Sequence, residues 1–247
     1  MNGHVHKTTV RQILDEGQSS AAQKYRAMVL GDVSWFELAL YELSNLFFNS
    51  VPGALGVFLR RKVYRYLFRA CGANVVIGRN CTFRHPGKIV IGNGVVIDEL
   101  CCLDARGTLD HGLVLGDRVV VNRLCAIRSK GGDITIGNNV NIGAGSQLIS
   151  QSGIIVGDGA VIAGDCYLSA GTYDIEEIGK PTSERQSKST GPIHIGENVW
   201  LATRVTILDG VEVGDSAIVS AGSVVNRNIP ARSVAHGNPA EVVFKAR

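Results

Sequence analysis

The sequence predicts an all-β solenoid preceded by a helical amino-terminal segment, and three observations carry that prediction. Apolar residues return every six positions from Ile77 onward. Glycine is dense, 30 of 247 residues, against about 7% in average usage. Val and Ile dominate the repeat, which favours short strands over helices.

Residues 1–70 lack the six-residue period and form the helical segment. Residues 10–30 read as a weak helix. Ser34-Trp35-Phe36-Glu37 is a capping-box signature. The helix it starts is expected to run to about Asn49, ahead of Pro52-Gly53. A second helix is expected from Leu55 to Arg69, with Arg60, Arg61, Lys62, Arg65 and Arg69 as its cations. Its apolar residues are Leu59, Val63, Tyr66, Leu67 and Phe68. Residues 1–70 hold 9 Lys/Arg and 5 Asp/Glu. A basic amphipathic helix here either caps the first solenoid coil or lies on an anionic membrane surface. The two readings are compatible.

Residues 71–230 carry the repeat. An aliphatic residue, Gly, and Asn, Asp or Glu recur at Ile91, Leu115, Ile136, Val156, Ile195 and Val213. Each opens three six-residue units, and Ile77 and Phe83 precede them. All twenty in-phase positions are apolar, and nineteen are aliphatic. Three units make one coil, and each aliphatic residue is expected to point inward and stack on the next coil, about 4.8 Å away. The fifth residue of a unit is small, which places it at a tight corner. Cys81, Cys101, Cys125 and Cys166 fill fifth slots and read as packing residues. Insertions follow Leu103, Ile127, Leu148 and Leu168, so loops should leave along one edge. The longest loop spans residues 169–192, and residues 231–247 form a carboxyl-terminal tail.

Composition narrows the function. The 25 basic and 22 acidic residues net only +3, too even for a nucleic-acid protein. Met1-Asn2-Gly3-His4-Val5-His6-Lys7 does not read as a signal peptide. No apolar run approaches the roughly 18 residues of a membrane span. The six cysteines form no C-x-x-C pair, so neither zinc nor a disulfide framework is expected. A reduced, cytoplasmic compartment suits them.

Three stretches carry a family resemblance: Asn198-Val199-Trp200-Leu201-Ala202, Ser220-Ala221-Gly222-Ser223-Val224-Val225 and Gly237-Asn238-Pro239-Ala240-Glu241-Val242-Val243. With the hexads, the chain resembles the hexapeptide-repeat acyltransferases. It is most similar to the sugar O-acetyltransferases of maltose, galactoside, nodulation and exopolysaccharide type. The resemblance implies a left-handed parallel β-helix that assembles as a homotrimer. It implies acetyl-CoA or another acyl-CoA as co-substrate, no metal, and a sugar hydroxyl in surface polysaccharide or glycan assembly as acceptor. Acyl-CoA would lie between two subunits, with Trp200, Thr203, Ala221, Asn226 and Arg227 as its site. Localisation is expected to be cytoplasmic, and where the basic helix lies on a membrane and does not only cap the solenoid, residues 55–69 would touch the inner membrane face.

The chain departs from the family at two places. Tyr173 stands where the resemblance puts the general-base histidine, within Cys166-Tyr167-Leu168-Ser169-Ala170-Gly171-Thr172-Tyr173-Asp174. A phenol, with an ordinary pKa near 10, is a weak base at neutral pH. Asp174 is the alternative base, and His85, His111, His194 and His236 are further candidates. A Tyr173 that only holds the acceptor, an amine acceptor on an amino sugar, and an inactive binding or scaffold trimer are the other readings. Glu241 replaces a family cation that contacts CoA phosphate, and Lys245 is the substitute.

Overall fold

The computed structural model describes residues 20–181, 185 and 187–246. Three helices come first: α1 (Ala21–Val29), α2 (Trp35–Phe48) and α3 (Gly53–Tyr64). Of the weak helix expected over 10–30, α1 covers the later part; residues 10–19 lie outside the described residues. The capping box forms at the start of α2. The Glu37 N–H donates to the Ser34 hydroxyl, and the Ser34 N–H donates to the Glu37 carboxylate.

α3 stops at Tyr64 and not at the expected Arg69. The N–H groups of Tyr66 and Leu67 reach back three residues, to the carbonyls of Val63 and Tyr64. This tighter turn lets Phe68 enter the core, edge-on to Phe83 at 5.0 Å. The Arg69 N–H then donates to the Ile89 carbonyl, where the sheet begins. Tertiary packing overrides the helical pattern.

The solenoid has three parallel faces. The first runs from strand Ala70–Cys71 to Glu212–Val213 and has seven strands. The second has nine, from Val76–Ile77 to Glu241–Lys245. The third has seven, from Thr82–Arg84 to Val224–Val225. The chain visits the faces in turn, so each strand pairs with its counterpart one coil away. Ile77, Ile97, Val121, Ile142, Ile162, Leu201 and Val219 form one inward column in register. All twenty hexad positions are at most 2% exposed.

The corner lies one position earlier than expected. The fourth residue of the first and second units of each coil takes the left-handed conformation, as at Asn80 (φ 56°), Leu100 (φ 62°), Asp165 (φ 58°) and Gly222 (φ 72°). The fifth residue is small because it is packed inside: Val95, Val119, Ala160, Ala217 and Ser223 are fully buried. The four fifth-slot cysteines are buried too. Their thiols approach the carbonyls of Asp98, Asn122, Gly143 and Ala202 in the next coil, at 3.1–3.2 Å. Burial raises the Cys166 thiol pKa, in keeping with a packing role.

The Gly-Asn/Asp signature has its own physical basis. The Ala73 N–H donates to the Asn93 side chain, Asn93 N–H to Asp117, Asp117 N–H to Asn138, and Asn138 N–H to Asp158. The result is a side-chain ladder along one edge. The insertions leave along a single edge, between the third and first faces, as the spacing predicts.

Candidate active site

The insertion after Ala170 forms a small antiparallel hairpin, with Thr172–Tyr173 paired to Ser187–Lys188. Asp174 follows at its tip. The Glu176 N–H donates to Asp174 at 3.0 Å, and Lys188 Nζ donates to the same oxygen at 3.4 Å. The backbone bond first, then Lys188, holds the Asp174 carboxyl below its ordinary range. Asp174 is therefore ionised at neutral pH and weakly basic.

A carboxylate the sequence reading did not single out fixes this insertion to the solenoid. Asp209 accepts the hydroxyls of Ser189 and Thr190, both at 2.9 Å, and also the Thr190 N–H. The Ser152 hydroxyl donates to Gly191 O at 2.8 Å, closing the stem. Asp133 does the same for the shorter insertion that carries His111. It accepts from the backbone N–H groups of Leu109, Asp110, His111 and Gly112. Neither role is visible in spacing alone, because the partners lie about 20 or more residues away along the chain.

The candidate acyl-CoA residues occupy the last coils. Trp200 is half exposed on the second face, in register between Val161 and Ile218. Thr203 and Ala221 are exposed at the edge between the second and third faces. They stack one coil apart, with the Gly222 N–H donating to Thr203 O at 3.0 Å. Asn226 and Arg227 are exposed at the opposite edge of the third face, where Asp209 and the insertion also lie. Lys245 pairs with Ser233 on the final antiparallel strand, and Glu241 pairs with His236.

Within one chain the candidate residues thus fall into two groups. The hairpin with Tyr173 and Asp174 shares an edge with Arg227, while Trp200, Thr203 and Ala221 sit around the far side of the third face.

The four histidines separate clearly. His85 is structural: 8% exposed, it takes its backbone N–H to Val29 O and its ring Nε2 to Ala27 O at 3.1 Å. Burial first, then Lys88, lowers its pKa to about 4. It pins α1 to the first coils. His111 is exposed on its insertion. His194 is exposed beside Glu212 on the first face and lines an open cleft of about 520 Å³ with Asp215 and Asn228. His236 is exposed on the tail. Among the described residues no cluster of His, Cys, Asp or Glu could hold a metal ion.

Residues 192–227 match the family described as Bacterial transferase hexapeptide (six repeats), a stretch that contains Trp200, Thr203, Ala221, Asn226 and Arg227. Residues 133–173 match Hexapeptide repeat of succinyl-transferase, ending at Tyr173. Galactoside O-acetyltransferase of Escherichia coli K12 is 33% identical over 115 residues, 47% of this chain and 55% of that protein. A provisionally named colanic acid biosynthesis acetyltransferase of the same organism, WcaF, is 36% identical over 110 residues, 44% and 57% of the two chains. The chain thus spans a little over half of these curated relatives. A point mutant of AntD, an N-acyltransferase from Bacillus cereus solved with dTDP-4-amino-4,6-dideoxyglucose and coenzyme A, superposes with a TM-score of 0.56. It is 23% identical and covers 81% of this chain and 92% of its own, a likeness of fold.

Proposed function

We propose that the chain is an acyl-CoA-dependent acyltransferase, O-acetylating a sugar hydroxyl in surface polysaccharide or glycan assembly; the match of residues 133–173 and 192–227 to hexapeptide-repeat transferase families supports this reading. One observation carries the reading. The matched repeats 192–227 are those that present Trp200, Thr203, Ala221 and Arg227 outward, on coils whose inner columns are fully packed. The identity to galactoside O-acetyltransferase favours a sugar acceptor.

A homotrimer supports this chemistry. The two halves of the site lie on different edges of one subunit, so a neighbouring copy can bring the hairpin of one chain against the last coils of another. The outer row of the second face is suited to such contact. Val76, Val96, Val120, Val161, Trp200, Ile218 and Val234 follow one another in register, interrupted by Asn141.

In the reaction the acceptor hydroxyl oxygen attacks the thioester carbon. The C–S bond breaks, the acyl group passes to oxygen, and CoA leaves as the thiol after taking a proton. Arg227 supplies a cation for CoA phosphate, with Asn226 beside it, and Lys245 offers a second cation. Thr203 and Ala221 present backbone groups to the pantetheine arm, and Trp200 lines it. Tyr173 holds the acceptor hydroxyl by a hydrogen bond. Asp174, ionised, receives its proton, and its low basicity makes turnover slow. Cytoplasmic acyl-CoA is the donor pool.

Release of CoA thiol from acetyl-CoA, followed with a panel of galactosides, glucosides and polysaccharide repeat units, tests the proposal. Acceptor-dependent thiol release is expected. No release with any sugar, together with transfer to an amino sugar, would replace the hydroxyl acceptor by an amine.

A further inference from the structure

We infer that the outer face of α2, together with the start of α3, docks onto an anionic lipid surface. The inference stands on the helices and is independent of the acyl-transfer reading. α2 is anchored on its inner side by Tyr41, whose hydroxyl donates to Phe83 O at 2.7 Å, and by buried Ser44. Its other side is also apolar. Phe36, Leu40, Leu43 and Phe47 fall at spacings of four, three and four residues, which places them in one stripe. Leu46 flanks the stripe, and Phe36 and Leu46 are 77% and 71% exposed. The carboxylates of α2 lie off this stripe: Glu37 is held in the capping box, and Glu42 accepts the Tyr25 hydroxyl. An apolar stripe left this exposed has room for a second apolar neighbour.

α3 extends the surface and gives it a polarity. Leu55 and Phe58 are exposed near its start, followed by Arg61, Lys62 and Arg65. Lys62 Nζ lies 5.1 Å from the Phe58 ring centre, and the Arg65 guanidinium 5.7 Å from that of Tyr66. Among the described residues Arg61, Lys62, Arg65 and Arg69 make no ion pair with a carboxylate. Arg60 is not part of this surface. It is 2% exposed and donates to the carbonyls of Ile77, Phe48 and Val51. So the basic face expected over residues 55–69 is thinner than its sequence, and the apolar contact comes from α2.

Charge decides the occupant. α2 carries Glu37 and Glu42 and no cation, so the exposed Arg61, Lys62 and Arg65 of α3 supply the positive charge; with the rings and leucines they complement lipid acyl chains beneath anionic headgroups. A second copy docking through the same face would set these cations against their own counterparts. The stretch is too short to span: among the described residues no helix is long and apolar enough to cross a membrane. Surface lodging is the geometry that fits.

The test is sedimentation of the full chain with vesicles of phosphatidylcholine alone or with added phosphatidylglycerol. Wild type is expected to pellet with the anionic vesicles, and less so as salt rises. Phe36→Glu/Leu43→Glu, both exposed positions, should bind about a hundredfold more weakly, and Lys62→Glu/Arg65→Glu about tenfold. Circular dichroism and light scattering should match wild type for both variants. Equal pelleting of wild type and Phe36→Glu/Leu43→Glu, or no pelleting of wild type, overturns the inference. If wild type ignores vesicles and Phe36→Glu/Leu43→Glu lowers the oligomeric state, the face belongs to a second copy.

Discussion

The Asp209 carboxylate accepts the Ser189 hydroxyl at 2.9 Å, tying the return of the longest insertion to the coil beneath Arg227. It also takes the Thr190 hydroxyl, so one side chain sets the stem of the hairpin that carries Tyr173 and Asp174. Asp209→Ala should cost about 0.5–1.5 kcal/mol, the net worth of hydrogen bonds whose donors, half-buried Ser189 and exposed Thr190, can turn to water. It should raise the acceptor KM while leaving acetyl-CoA affinity unchanged. Calorimetry with acetyl-CoA beside steady-state kinetics separates the two; an equal loss of both would mean the stem supports the whole end of the solenoid.

Arg60 is a second anchor, between the helices and the first coil. Its guanidinium reaches Ile77 O at 2.9 Å, Phe48 O at 3.0 Å and Val51 O at 2.7 Å. Arg60→Leu should destabilise the chain by about 3 kcal/mol, since these carbonyls, and Asn49 O at 3.4 Å, lose a charged donor. Arg60→Lys should recover little, because a single ammonium cannot span the fork. Urea unfolding checks both, and a loss under ~0.5 kcal/mol for Arg60→Leu would rule the anchor out.

His85 makes stability pH-dependent in one direction. Its folded pKa is lowered from 6.5 to about 4, so the unfolded chain takes up a proton the folded chain refuses. Its contribution is whole above pH 6.5, falls as pH drops toward 4, and is lost below that. The span is on the order of 3 kcal/mol. Melting temperature measured across this window should fall more steeply for wild type than for His85→Gln. Parallel slopes would show that other groups carry the dependence.

Tyr173→His places an imidazole on the hairpin beside Asp174. A base with a pKa near neutral should raise the rate of acetyl transfer about a hundredfold and introduce a pH inflection near 6.5. The readout is kcat against pH for both proteins. An unchanged rate would mean that Tyr173 does not face the acceptor.

The solenoid was legible because its inner positions obey one rule. Every hexad position from Ile77 to Val225 must fill the same interior slot, so it is aliphatic or, at Phe83, aromatic. The helix start at Ser34 was legible for a similar reason, since capping needs a short, local pattern. The fourth-slot corners were not, because Asn80, Leu100, Arg118 and Ser216 share a backbone conformation and no chemistry. The burial of Arg60 was hidden by its charge: beside Arg61 and Lys62 it reads as a surface cation. Asp133 and Asp209 were missed because their donors come from distant stretches that only the coil geometry brings near. Separation of the candidate residues into two groups across the third face is also a property of the winding, which a linear motif does not record.

The acyltransferase reading stands or falls on acetyl-CoA binding, measured by titration calorimetry. Wild type is expected to bind with micromolar affinity, weakened about tenfold in Arg227→Ala by loss of a phosphate contact. Absence of binding heat for wild type, with the protein folded, would contradict an acyltransferase and leave a solenoid that binds something else.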